Sequence, residues 1–264
     1  MAIPRREMGG GFWATRGAAW WGVVLIGLAL LVTGCSRSAY EARHNDIAQS
    51  HLPTVREAPH HPDSLRHLRI TEGDQTFDFD LEKRYESMWR TWSVTRRAQT
   101  GASPRVQGLD YRTFATLWSL DLSLASLEPE LGIQGLSKDL AREHIQERKE
   151  NHQEFLQIDV YSYADAEQSS DTWLNTPGRR IVLRDGAGNE YEPARSETSI
   201  PMEAHHIDRQ VVYRRNTFLF DRHDEDDTDI LKDVQTLRLV VKVTGGDNYY
   251  FSWSFDDPPS LSSR

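Results

Sequence analysis

The sequence predicts a mainly β protein with helices (α+β), built as an antiparallel, immunoglobulin-like β-sandwich with an inserted helical pair. Three observations lead to this fold class. Near the C-terminus, apolar and polar residues alternate one by one, which is the pattern of half-buried antiparallel strands. Turns rich in Gly, Asp and Asn separate these runs, as in β-hairpins. Earlier in the chain, Leu81, Tyr85, Met88 and Trp92 instead recur every three or four positions, which is typical of a helix.

The composition argues for a folded and acidic chain. The 264 residues are 38% hydrophobic and include 8 Trp, 9 Tyr and 9 Phe, enough for a packed core and unlike a disordered protein. The length permits one large β domain or two small ones. A formal net charge of −9 argues against nucleic acid as a partner, because nucleic acid requires a basic face. The single cysteine excludes an intramolecular disulfide.

The N-terminal region has the features of a secretion signal. Residues 1–17 carry three arginines against one acidic residue, and residues 18–32 then run for fifteen positions without a charge. That length matches the hydrophobic core of a signal peptide and is shorter than the ~20 residues of a membrane-spanning helix. We therefore predict that residues 1–34 are a signal peptide.

The leader ends in the residues Leu31-Val-Thr-Gly34-Cys35, with an aliphatic residue three positions before the cysteine and a small residue directly before it. This arrangement resembles the lipobox of bacterial lipoproteins. The resemblance implies that the Cys35 thiol receives a diacylglyceryl group, that signal peptidase II cuts after Gly34, and that the new amine is acylated, for example with palmitate. The alternative is an uncleaved membrane anchor with an incidental cysteine.

The same resemblance implies a place in the bacterial cell envelope. Cleavage removes three Arg and one Glu from the 31 basic and 40 acidic residues, which changes the net charge from −9 to −11. Because an acidic body is not attracted to anionic lipid, the covalent lipid on Cys35 has to hold the protein at the membrane. In two-membrane bacteria an Asp after the cysteine retains lipoproteins in the inner membrane. Ser36 therefore favours the periplasmic face of the outer membrane if the host has two membranes.

Residues 35–69 are predicted to be a flexible tether. They contain Pro53, Pro59 and Pro62 and few residues that could seed a core. Five of the ten histidines of the chain lie in this segment, namely His44, His51, His60, His61 and His67. A His-rich tract can capture metal, but these histidines lack regular spacing and accompanying cysteines, so a solvated linker is the favoured interpretation.

The folded domain is predicted over residues 70–257, followed by a disordered tail at 258–264. Its predicted elements are a helix over 81–99 with Asp80 as N-cap, a strand over 110–120, helices over 123–131 and 137–153, and strands over 154–163, 179–184, 209–220, 235–243 and 248–255. Hairpin turns are predicted at 185–189 and 245–248. Trp253 is the predicted core residue, because it lies on the aromatic side of the clearest alternating strand. The order of a Trp-containing helix, a strand, two helices and five strands also resembles uncharacterised bacterial envelope lipoproteins, and it implies a fold without an activity.

Two polar clusters are candidate metal sites. Four carboxylates of the segment 221–229 could surround Ca²⁺, namely those of Asp221, Asp224, Asp226 and Asp229. The segment lacks the EF-hand glycine and the twelfth-position Glu, so a solvated acidic loop is the favoured interpretation. His205 and His206, flanked by Glu203 and Asp208, could bind zinc if the segment folded back. Adjacent residues on a strand point to opposite faces, which argues against a shared metal.

The sequence supplies no complete catalytic motif. His144, Glu147 and Arg148 approach a zinc-binding helix motif, but Arg148 cannot ligate zinc. No G-x-S-x-G occurs, and the one cysteine is assigned to the lipid anchor. We therefore predict a membrane-anchored envelope lipoprotein with a non-catalytic β-sandwich that binds a partner, an envelope protein, or supports an assembly, and neither a cofactor nor a resident metal. The alternative is a metal-assisted hydrolase that uses the His205/His206 and 221–229 segments.

Overall fold

Antiparallel strands account for most of the regular structure. The computed structural model of the chain describes residues 58–98, 112–165, 174, 177–206 and 209–256. The strands are β1 (Leu68–Glu72), β2 (Phe77–Leu81), β3 (Ser93–Thr95), β4 (Arg97–Ala98), β5 (Arg112–Leu117), β6 (Phe155–Asp165), β7 (Arg179–Arg184), β8 (Glu190–Tyr191), β9 (Arg195–Thr198), β10 (Met202–His206), β11 (Arg209–Asp221), β12 (Thr236–Val243) and β13 (Tyr249–Ser254). The helices are α1 (Tyr85–Thr91), α2 (Leu120–Ala125), α3 (Leu127–Leu131), a 3₁₀ turn (Ile133–Gly135) and α4 (Lys138–Glu154).

The strands form three antiparallel sheets. The six-stranded sheet has the order β10-β11-β6-β5-β3, with β9 also paired to β11, and the five-stranded sheet has the order β4-β13-β12-β7-β8. The strands β1 and β2 form a separate hairpin. The protein is thus mainly β with a few helices, which confirms the predicted α+β class.

Both large sheets bury side chains in one hydrophobic core. From the five-stranded sheet, Leu239, Phe251 and Trp253 are fully buried, and the six-stranded sheet contributes Ile158 and Phe220. The predicted core position of Trp253 is therefore confirmed. Its indole Nε1 donates a hydrogen bond of 2.8 Å to the carbonyl oxygen of Trp92, next to β3, so this side chain also links the two sheets.

Most of the predicted elements are confirmed. The five strands predicted after residue 153 correspond to β6, β7, β11, β12 and β13, and both predicted hairpin turns are present as the β7–β8 and β12–β13 connections. The helical pair is observed as α2, α3 and the longer α4, with Ser137 at the N-cap position of α4.

The helix predicted over 81–99 is wrong at both ends. Leu81 ends β2 and pairs with Leu68 of β1, and Asp80 lies in that strand, so Arg84 takes the N-cap position. After α1 the chain enters β3, where Ser93 pairs with Thr116 of β5. Pairing with other strands therefore overrides the helical spacing on both sides of α1.

The folded region begins earlier in the chain than predicted. Residues 59–63, which we name the strap, lie within the predicted tether but are packed against the domain, and the side chains of His60 and His61 are only 4% and 3% exposed. The backbone nitrogen of Asp256 donates to the carbonyl of Pro59 at 3.2 Å, and that of Leu120 donates to the carbonyl of Pro62 at 2.8 Å. The strand β1 follows at Leu68. The predicted domain start at residue 70 is therefore too late, because the segment before it is hydrogen-bonded to the start of α2 and to the chain just after β13.

Candidate functional site

Arg222 binds the strap to the end of the six-stranded sheet. This residue directly follows β11, whose pairing with β6 places it beside the last turn of α4. Its Nη1 and Nη2 donate to the two carboxylate oxygens of Asp63 at 3.0 and 2.6 Å, and its Nε and Nη2 donate to those of Asp229 at 2.6 and 2.8 Å. His152 of α4 contacts Asp63 Oδ1 through Nε2 at 2.8 Å. We name Asp63, His152, Arg222 and Asp229 the Arg222 cluster.

The charges of the Arg222 cluster compensate one another. The guanidinium of Arg222 is 5% exposed, and a buried cation is tolerated only when it is paired and hydrogen-bonded. Burial by itself would raise the pKa of Asp63, but the hydrogen bonds from His152 and Arg222 outweigh it and lower that pKa far below its ordinary value. For Arg222, burial would lower the pKa, but bonds to Asp229 and Asp63 raise it. The cluster is therefore a charged clamp that holds the strap.

The lowered pKa of Asp63 gives an expected pH dependence. In the unfolded chain this carboxylate takes up a proton near its ordinary pKa of about 3.9, whereas in the folded chain it stays ionised. Its contribution to stability is therefore complete above that pH and is lost as the pH falls through the folded pKa. We expect the wild type to lose more melting temperature than Asp63→Asn when the pH is lowered from about 6 to about 3. If both proteins lost the same amount of melting temperature over this pH range, the clamp would be contradicted.

The acidic loop 221–229 uses two of its carboxylates internally. Asp224 Oδ1 accepts hydrogen bonds from the backbone nitrogens of Asp226 and Thr228 at 3.0 and 2.9 Å. Asp229 bonds Arg222 and also accepts the backbone N–H of Leu231 at 2.8 Å. Two of the four carboxylates considered for Ca²⁺ thus shape the turn and neutralise Arg222.

The histidines whose side chains the structure describes are not assembled into a metal-binding cluster. His205 and His206 are successive residues of β10, and their side chains lie outside the described part of the structure. In the strap, His61 Nε2 lies 3.1 Å from the carbonyl oxygen of Leu231, and the ring of His60 packs edge-on against Trp92. Across the described ranges no group of three or more His, Cys, Asp or Glu side chains is placed to hold a metal ion. The predicted lipidation site Cys35, together with His44, His51 and Asp208, lies outside the described residues.

An open groove of about 510 Å³ adjoins the Arg222 cluster where α4, β6 and β11 meet. Its lining residues are Glu150, Gln153, Glu154, Phe155, Asp221, Arg222 and His223. Besides Arg222, which is bonded to Asp63 and Asp229, the lining carries the carboxylates of Glu150, Glu154 and Asp221.

A buried carboxylate in the middle of β6 is not predicted from the sequence. Asp159 accepts hydrogen bonds from Trp118 Nε1 at 2.9 Å, Thr217 Oγ1 at 2.8 Å and Gln157 Nε2 at 3.2 Å. Burial raises the pKa of Asp159 in spite of these donors. In the sequence, Asp159 falls on the polar side of an alternating strand and has the pattern of a solvent-facing residue. Because its hydrogen bonds join β6 to β11 and to the end of β5, its role is structural.

No helix within the described part of the chain combines the length and the apolar content needed to cross a membrane. Comparison with known proteins finds no family model, no curated protein and no solved structure that matches the chain.

Proposed function

We propose that this chain is a lipid-anchored protein of the bacterial cell envelope, with a non-catalytic domain that binds an envelope protein or supports an assembly. The leader and its end at Cys35 are the observation that carries the proposal. An apolar stretch of signal-peptide length, a small residue and a cysteine follow one another in the order that lipidation requires. Ser36 favours the periplasmic face of the outer membrane in a two-membrane host. The two large sheets, which share one core, are proposed to form a sandwich of the immunoglobulin-like type.

The strap supports a tethered arrangement. The chain that leads from Cys35 reaches the described domain at residue 58 and is held there by Asp63 and Arg222 within the next few residues. Only 22 residues separate Cys35 from residue 58, and a chain of that length extends at most ~75 Å. A lipid on Cys35 would therefore keep residue 58, where the described domain begins, within that distance of the membrane surface.

The mass and the N-terminus of the mature protein test the anchor. We expect a chain that begins at Cys35 and is heavier than the 35–264 polypeptide by its acyl groups. Cys35→Ser removes the thiolate that attacks the lipid donor, and a hydroxyl is a much poorer nucleophile. This variant should therefore keep Met1 and its apolar segment.

Membrane association alone does not decide the question, because the uncleaved variant would also stay with membranes through residues 18–32. An intact N-terminus in the wild type, or cleavage elsewhere with an unmodified Cys35, would end the lipoprotein proposal.

A further inference from the structure

The outer face of the five-stranded sheet is basic. Strand β7 places Arg180 and Arg184 on this face, and β12 places Lys242 and Arg238 directly beside them in the register of the sheet. The residues between them in sequence, such as Leu239, point to the other side and are buried in the core. We name these four cationic side chains, together with Tyr250, the basic sheet face.

The basic sheet face has an apolar and aromatic centre. Val182 and Val240 pair with each other between the two basic pairs, and both are buried although they lie outside the hydrophobic core. Long basic side chains commonly cover apolar neighbours in this way with their aliphatic stems. Tyr250 is paired with Val240, and the guanidinium of Arg238 lies 5.4 Å from the centre of its ring. The face is therefore a broad sheet surface with charged groups around a less polar middle.

The cations of this face outnumber the carboxylates bonded to them. Glu190 accepts hydrogen bonds from Lys242, at 2.6 Å, and from Arg184, which lower the pKa of Glu190 to about 2. Glu192 accepts two from Arg180 at 2.8 and 2.6 Å. Four cations thus face two carboxylates, an excess that contrasts with the net charge of −11 expected for the chain after cleavage. Because salt limits electrostatic attraction to about 8–10 Å, the local charge of a face decides what it attracts at contact.

We propose that the basic sheet face lies against the anionic lipid surface of the membrane to which the chain is tethered. The anchoring of the chain at a membrane rests on the proposed function. The contact of the basic sheet face with lipid rests on the charges and the aromatic ring of the face. The distance of at most ~75 Å between Cys35 and residue 58 exceeds the size of a domain of this length, so the face can reach the bilayer. A tether also raises the effective concentration of lipid at the face, so a weak attraction is enough to orient the domain.

Lysine labelling of the full chain in vesicles tests this orientation. The protein is reconstituted into vesicles of phosphatidylcholine alone or with about one third phosphatidylglycerol, and a water-soluble amine reagent is followed by mass spectrometry at Lys242. Lys149, on α4 and outside the basic sheet face, is the internal control. We expect Lys242 to be labelled at least threefold more slowly on the anionic vesicles, and Lys149 at equal rates on both. High salt should abolish the difference because it screens the attraction.

The double variant Arg180→Gln, Arg238→Gln should lose most of the protection of Lys242. Both side chains are exposed, so a melting temperature equal to that of the wild type serves as the folding control. Equal labelling of Lys242 on both vesicles would overturn the proposal, and so would equal protection of Lys149. Protection in native envelopes but not in vesicles would also overturn it and would indicate an acidic protein or polymer instead. The mass of the protein shows separately whether Cys35 carries acyl groups. The labelling test remains possible without them, because the uncleaved chain still enters vesicles through residues 18–32.

Discussion

Arg222→Ala should lower the free energy of unfolding by about 3 kcal/mol. Removal of one partner from a buried ion pair typically costs 3–5 kcal/mol, because the other charge stays behind uncompensated. Here the two carboxylates left behind, those of Asp63 and Asp229, are 40% and 33% exposed and can partly recover water. We therefore expect the lower end of that range. Denaturant titrations of the wild type and the variant, followed by tryptophan fluorescence, measure the difference.

Arg180→Ala is the matched control for this prediction. Arg180 also bonds a carboxylate, that of Glu192, but both side chains are more than half exposed, and surface pairs contribute at most about 1 kcal/mol. If the two arginine variants lost equal stability, or if Arg222→Ala cost less than about 1 kcal/mol, the strap would not be held by the Arg222 cluster.

Trp253→Ala should cost about 3–5 kcal/mol. The indole is fully buried in the core to which both large sheets contribute. Its removal therefore leaves a cavity in that core. The carbonyl of Trp92 also loses its hydrogen bond from Nε1. Trp253→Phe separates the two effects, since it keeps an aromatic ring and loses the hydrogen bond, and it should cost clearly less than the alanine variant.

Tyr250→Ala is the neighbouring control, because Tyr250 lies on the same strand with its side chain on the opposite face of the sheet. We expect a loss below about 1 kcal/mol for this partly exposed residue. The assignment of Trp253 to the core would be contradicted by a similarly small loss for Trp253→Ala.

The sequence was informative where one physical requirement dominates. Strands β12 and β13 alternate so regularly that their inward residues, Trp253 among them, are read directly from the spacing. The predicted helix around Met88 is too long, because its flanking residues suit both a helix and a strand. Only their pairing with β1 and β5 decides between the two. Local patterns carry no information about such distant partners.

The candidate site was the least predictable part. Asp63 lies in the segment that the sequence predicts to be a solvated tether, and Arg222 lies among carboxylates that fit a metal site better than an arginine does. Their contact joins residues 159 positions apart, and nothing in the neighbourhood of either residue indicates the other. The acidic loop suggests a metal site from its sequence, although one of its carboxylates, that of Asp229, is the counter-ion of this arginine.

The strap also closes very long rings of chain. The bond of Asp63 to Arg222 joins residues 159 positions apart, and that of His61 to Leu231 joins residues 170 positions apart. The entropy cost of ring closure rises only with the logarithm of ring length, and the first of these contacts to form bears nearly all of it. Once one contact exists, the next restricts the chain little further, so the contacts of the strap reinforce one another. Double-mutant cycles between Asp63 and His61 should therefore be non-additive. A direct contact adds to this coupling, because His61 Nδ1 also lies 3.8 Å from Asp63 Oδ2.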